Sequence, residues 1–147
     1  MQKNLKDFLL KQGYVAVKLK FTKTNHFEVK ATINGIKGLF ILDTGASNSC
    51  IGSDMVETFK LEVQDSDVKA AGAGAIDMET QISKKNNVTI GKWKQKKTTL
   101  VLFNLIHVNT ALTNHSSNPV DGIIGADILK KTKAIIDYNK KYLYLKL

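Results

Sequence analysis

Asp43 is the residue of this chain best placed for chemistry. It follows the unbroken apolar run Leu39-Phe40-Ile41-Leu42 and precedes Thr44-Gly45-Ala46-Ser47. A carboxyl group held at the mouth of an apolar core is suited to proton transfer. Thr44 offers a hydroxyl that can brace the loop. Gly45 lets the chain turn tightly and lets amides approach the carboxylate. The plainer alternative is a turn aspartate, a common role for Asp before Gly. A second short pattern lies about eighty residues on, Val120-Asp121-Gly122-Ile123-Ile124-Gly125-Ala126-Asp127. Its two carboxylates are candidates for a second acid within one chain. Asp121 falls in a turn and Asp127 at a helix start, positions that favour structural roles.

Other reactive residues carry less. His26, His107 and His115 are scattered, and Cys50 is the sole cysteine. No metal-ligand spacing results, so neither metal nor cofactor is expected. His107 follows an apolar strand and reads as a structural histidine. Cys50 sits beside Ile51 with no base near it in sequence, and reads as a buried thiol. Lys92-Trp93-Lys94-Gln95-Lys96-Lys97 mixes an aromatic with positive charge, as single-strand binders do. In a strand, Trp93 points opposite to Lys92 and Lys94, which gives a core Trp and solvated lysines.

The elements that must hold Asp43 are mainly strands. Leu5, Phe8 and Leu9 share one helical face in a segment stopped by Gly13. From Val15 the apolar period becomes two, through Val17, Leu19 and Phe21, and it resumes at Phe27, Val29, Ala31 and Ile33. Asn34-Gly35 predicts a hairpin. The strand Ile36 to Leu42 ends in the apolar run, which predicts burial on both faces. A short helix is expected from Gly52-Ser53-Asp54 to about Phe59, capped either by Asp54, with Glu57 at capping-box spacing, or by Ser53. Strands are expected at Met78 to Ile82, Val88 to Ile90 and Thr98 to Phe103, with turns at Asn86-Asn87 and Gly91-Lys92. Leu105 to Pro119 reads as a long polar loop. A strand at Val120 to Ile124, a helix from Ala126 to about Lys131 and a C-terminal hairpin complete the chain.

The chain's 147 residues suit one domain, and 43% hydrophobic content supports a core. The net charge is +9, yet all 22 basic residues are Lys. Dedicated nucleic-acid recognition leans on the planar guanidinium, so no nucleic-acid partner is expected. With one cysteine, no intrachain disulfide forms. Met1 to Gly13 lacks the apolar core of a secretory signal. No stretch approaches the roughly eighteen apolar residues of a membrane span. A cytoplasmic protein without membrane partners is the expectation.

Ile41-Leu42-Asp43-Thr44-Gly45-Ala46-Ser47 resembles the active-site loop of the retropepsin-like aspartic proteases. Ile123-Ile124-Gly125 resembles that family's second signature, an apolar strand beside the catalytic loop. The tail, from Gly125-Ala126-Asp127-Ile128-Leu129 through Ile136-Asp137 to Leu143-Tyr144-Leu145, is similar to the retropepsin-like domain of DNA-damage-inducible proteins and to bacterial relatives. The resemblance spans about Gly13 to Leu147. It implies a mostly β fold: a closed antiparallel β-barrel of the acid protease type with one or two short helices. An N-terminal amphipathic helix over 1–13 would precede the protease domain over 14–147.

The implied activity is that of an aspartic endopeptidase without cofactor, acting on a peptide or protein substrate. Such hydrolysis needs two carboxyls sharing one proton: one takes a proton from water while the other polarises the scissile carbonyl. This chain has one Asp-Thr-Gly, so the second carboxyl must be Asp43 of another copy, which predicts a homodimer. Thr44 and Gly45 then support the loop, Thr44 by a hydrogen bond across the dimer. Ala71, Gly72, Ala73, Gly74 and Ala75 fall where the family carries its substrate-covering flap. Two features depart from the pattern: the flap tip has only Ala and Gly, and a helix precedes the first strand while a hairpin ends the chain. Two alternatives stand beside this reading. One is a catalytically silent, dimeric peptide-binding module; the other is a Lys-rich nucleic-acid-binding domain.

Overall fold

The computed structural model describes residues 4–72 and 75–147, with the backbone alone for 65–72 and 75–80. The chain begins with helix α1 (Leu5–Lys11), capped by the Asn4 side chain, which accepts from the Asp7 amide at 2.8 Å. Gly13, at φ +89°, turns the chain out of the helix. Of the three apolar residues expected on one face, only Leu9 is buried; Leu5 and Phe8 remain 47% and 42% exposed. A seven-residue helix turns one narrow stripe inward, and Leu9 alone occupies it.

Among the described residues, eleven strands follow. They are β1 (Tyr14–Lys18), β2 (Lys20–Phe21), β3 (Phe27–Ile33), β4 (Ile36–Leu42), β5 (Cys50–Gly52) and β6 (Val63–Gly72). Then come β7 (Ala75–Ile90), β8 (Trp93–Phe103), β9 (Gly122–Ile124), β10 (Ile135–Asp137) and β11 (Tyr142–Lys146). Six of them close a barrel, in the order β3-β4-β9-β5-β8-β7. The ring returns to β3 through the pairs Thr32↔Thr89 and Ile33↔Val88. Most pairings are antiparallel, while β4–β9 and β5–β8 run parallel. β1, β11 and β10 form a separate three-stranded sheet. The turn at Asn34-Gly35 takes φ +51° and +85°, the left-handed pair such a hairpin requires.

Alternation along the strands builds two apolar layers. Val29, Phe40, Ile51, Leu100 and Ile124 point into the barrel with Val15, Leu143 and Leu145 from the small sheet. Ile41, Cys50, Val101 and Ile123 point outward, under Leu105, Leu112 and Val120. The continuous apolar run ending at Leu42 is therefore buried on both faces, and each fully buried aliphatic or aromatic side chain contributes about 1.5–3 kcal/mol.

Three segments differ from the sequence expectation. Leu105 to Pro119 is not all loop: helix α2 spans Ile106–Asn114 and covers the outer layer. Leu105, Val108 and Leu112 give it a buried stripe, and Asn109 ties it to Val120 through its amide and carbonyl oxygen (3.1 and 2.7 Å). His107 is exposed on this helix. The helix expected after Gly52 is only a 3-10 turn over Ser53–Met55, with no side-chain cap. Lys60, at φ +56°, ends the turns that follow. Asn86-Asn87 is no turn, because β7 runs straight through it with shifted register. The buried Asn86 amide donates to the Ser83 and Thr98 carbonyls (3.0 and 3.2 Å), satisfying backbone that the irregular register leaves unpaired. The remaining helix, α3 (Ala126–Lys131), and the C-terminal hairpin lie where the sequence puts them.

Candidate active site

Asp43 leaves the C-terminal end of β4 and sits half-buried where the barrel opens. The parallel pairing of β4 with β9 sets Leu42 opposite Ile124. The register continues one step further, as the Asp43 amide donates to the Ile124 carbonyl at 3.0 Å. The chain then turns, with the Ala46 amide donating to the Asp43 carbonyl at 3.2 Å. Within that turn the Gly45 amide donates to Asp43 Oδ1 at 2.8 Å. One carboxylate oxygen is thereby oriented, while Oδ2 has no donor among the described residues. Thr44 and Gly45 are both exposed at the tip.

The loop is fixed from behind by the segment 122–128. Ser49 is fully buried, and its amide and hydroxyl both donate to Asp127 Oδ1 (2.9 and 2.7 Å). Its hydroxyl oxygen in turn accepts from the Gly125 amide at 2.9 Å. Asp127 Oδ1 also accepts from the Ile128 amide at 2.9 Å, and the Ala126 amide donates to the Ala46 carbonyl at 2.7 Å. Close backbone approach explains the glycines. A Cβ at Gly125 would stand 2.6 Å from the Ala46 carbonyl oxygen. One at Gly122 would collide with the Cys50 carbonyl and approach the Phe40 ring to 2.7 Å.

Asp121 and Asp127 are thus structural carboxylates, as their turn and helix-start positions imply. Asp121 Oδ2 accepts from the Leu39 amide at 2.9 Å and holds β4 beside β9. Cys50 is buried in the outer layer. Burial pushes its thiol up to about 12; the Asp127 and Asp43 carboxylates add to the rise and a backbone contact at Ile123 opposes it. It is a protonated packing group, not a nucleophile. Trp93 is buried while Lys92 and Lys94 are exposed. No group of three metal-ligating side chains occurs among the described residues.

Of the five flap positions, Ala73 and Gly74 lie outside the described residues. Ala71 and Gly72 end β6 and Ala75 begins β7, with Gly72 paired to Ala75. The sequence reading did not single out Ser49. No spacing rule marks it, since its partners are 76 and 78 residues away.

A six-stranded barrel whose parallel β4–β9 pair presents an Asp-Thr-Gly loop is the architecture of the retropepsin-like aspartic proteases. The chain belongs to the aspartyl protease family, whose profile matches residues 29–128. Its fold is similar to a retropepsin-like aspartic protease from Rickettsia conorii, at 19% identity and TM-score 0.61, over 90% of this chain and 89% of that one. It is also similar to the retroviral protease-like domain of Ddi1 from Leishmania major, at 20% identity and TM-score 0.56, over 86% and 90%. A search of curated proteins found no match. Among the described residues no helix is long and apolar enough to cross a membrane.

Proposed function

We propose that the protein is an aspartic endopeptidase in which Asp43 from each of two copies forms the catalytic dyad. The observation that supports this most directly is the state of Asp43 itself. One oxygen is oriented by the Gly45 amide, the other has no donor among the described residues, and the loop behind is tied through Ser49 and Asp127. Two such carboxyls a few ångströms apart share one proton, because both cannot ionise cheaply. The ionised member takes a proton from water; the protonated member polarises the scissile carbonyl, and the water oxygen attacks the carbon. The proton then passes to the leaving nitrogen as the C–N bond breaks. The exposed Thr44 braces the loop across the dimer, and the ends of β6 and β7, paired at Gly72 and Ala75, cover bound peptide.

The test is cleavage of an unfolded protein substrate across roughly pH 4 to 7, the range of a shared-proton pair. Wild type is expected to cleave and to be blocked by a statine-type transition-state mimic. Asp43→Asn is expected to lose activity by about three orders of magnitude or more while melting normally. Sedimentation equilibrium should show a dimer in both. Cleavage retained by a folded Asp43→Asn protein would overturn the assignment.

A further inference from the structure

The outer face of β3 and β4 carries a groove that the dyad does not use. It has a volume of about 800 Å³ and joins a second hollow of about 530 Å³ through Lys20, Glu28, Lys30 and Leu39. Leu39, half-buried, forms an apolar floor. Lys37 rims the far end, and Lys18 and Lys141 rim the near one. All five lysines are exposed, and none makes an ion pair among the described residues. The lining sets five lysines against two carboxylates, Glu28 and Asp121, so the groove carries an excess of positive charge.

The register shows where this groove leads. Glu28, where the two hollows join, lies directly opposite Ile41, two residues before Asp43, so that end of the larger hollow lies about 7 Å along the strand from the Asp43 loop. The other end reaches Lys37 near the hairpin turn, so the groove accepts an extended segment of about six residues. We propose that this groove binds an acidic stretch of the polypeptide being cleaved, beside the scissile bond. This rests on the reading of Asp43 as the catalytic carboxylate. Acidic side chains would meet the lysine rim while an apolar one covers Leu39. A nucleic acid fits less well. Its phosphates are gripped best by the planar guanidinium, and no arginine is present in this chain.

Binding is tested on the Asp43→Asn protein, so that no cleavage intervenes. Fluorescein-labelled octapeptides of alternating Glu and Leu, and of alternating Gln and Leu, are titrated and followed by anisotropy. The acidic peptide is expected to bind more tightly, and increasingly so as salt is lowered. Lys20→Gln, Lys30→Gln and Lys37→Gln combined should weaken it roughly tenfold, from three exposed ion pairs, while Lys94→Gln with Lys96→Gln leaves it unchanged. The side chains replaced are exposed, and matched thermal melts exclude unfolding. Equal affinity for both peptides, or equal loss in the β8 control, overturns the proposal. So does tighter binding of an eight-nucleotide single-stranded RNA that depends on the same lysines. Wild-type turnover then separates the two readings. Acidic-peptide binding without any cleavage leaves the groove standing and removes the dyad. Cleavage with equal KM for acidic and neutral flanks does the reverse.

Discussion

Two polar straps tie the β3–β4 hairpin at its opposite ends, and they are built differently. At the turn end, the Asn34 amide donates to the Phe59 carbonyl and to Asn86 Oδ1 (2.8 and 2.9 Å), while Asn34 Oδ1 accepts from the Asn87 amide at 2.9 Å. Neutral amides donate and accept at once, so the two asparagines join three segments where β3 meets β7. At the Asp43 end, a carboxylate does the tying, with Asp127 gathering three donors on one oxygen. The lesson lies in what each strap leaves over. The asparagine strap uses up its own polar groups. The aspartate strap sits behind the loop and leaves half-buried Asp43 with one oxygen that has no donor among the described residues. On the proposed reading, positioning falls to Asp127 and reactivity to Asp43.

Removing Asp127 should break this division most severely. Asp127→Ala orphans the Ser49 hydroxyl, the Ser49 amide and the Ile128 amide, with an expected cost of about 3 kcal/mol in chemical denaturation. Because the loop loses its backing, turnover should fall at least tenfold alongside. Asp127→Asn keeps an acceptor oxygen and should lie between. Full turnover in a folded Asp127→Ala protein would show that the strap is structural only.

Asn86→Ala sharpens the contrast from the other end. It removes the side chain that serves the Ser83 and Thr98 carbonyls and Asn34, and is expected to cost about 2 kcal/mol. Turnover per folded molecule should not change. A parallel loss of turnover would mean that the two straps act as one.

The smallest effect concerns Cys50, which is buried within the outer layer. Its thiol is raised from 9.0 to about 12 in the folded protein, so the unfolded thiol ionises first. Stability therefore falls as pH rises above 9.0, by about 1 kcal/mol at pH 10 from this group. Cys50→Ala should flatten the stability profile over that interval. An unchanged slope would contradict the burial that defines the outer layer.

The elements nearest Asp43 were legible because each carries a local signal. An unbroken apolar run can only be a strand covered on both sides, and Asn34-Gly35 can form a left-handed pair that other dipeptides resist. Where the signal is tertiary, the sequence misleads. Asn86-Asn87 looks like a turn because asparagine favours turns; here its side chain is spent on a strand irregularity. Helix α2 was hidden because four of its nine residues are Thr or Asn, weak helix formers, and its Leu105-Val108-Leu112 stripe has meaning only above the outer layer. Ser49 was hidden for the same reason. Its role exists only once the chain has returned from nearly eighty residues away.

That return orders events in time. Contacts so distant in sequence form late, since their loop must close before they contribute. A growing chain carries Asp43 long before it carries Ser49's partners Gly125 and Asp127. Until that last part of the barrel arrives, the carboxylate has no backing and no fixed orientation. On the proposed reading of Asp43, the fold makes its own completion a condition for hydrolysis, and an unfinished chain is a poor threat to its neighbours.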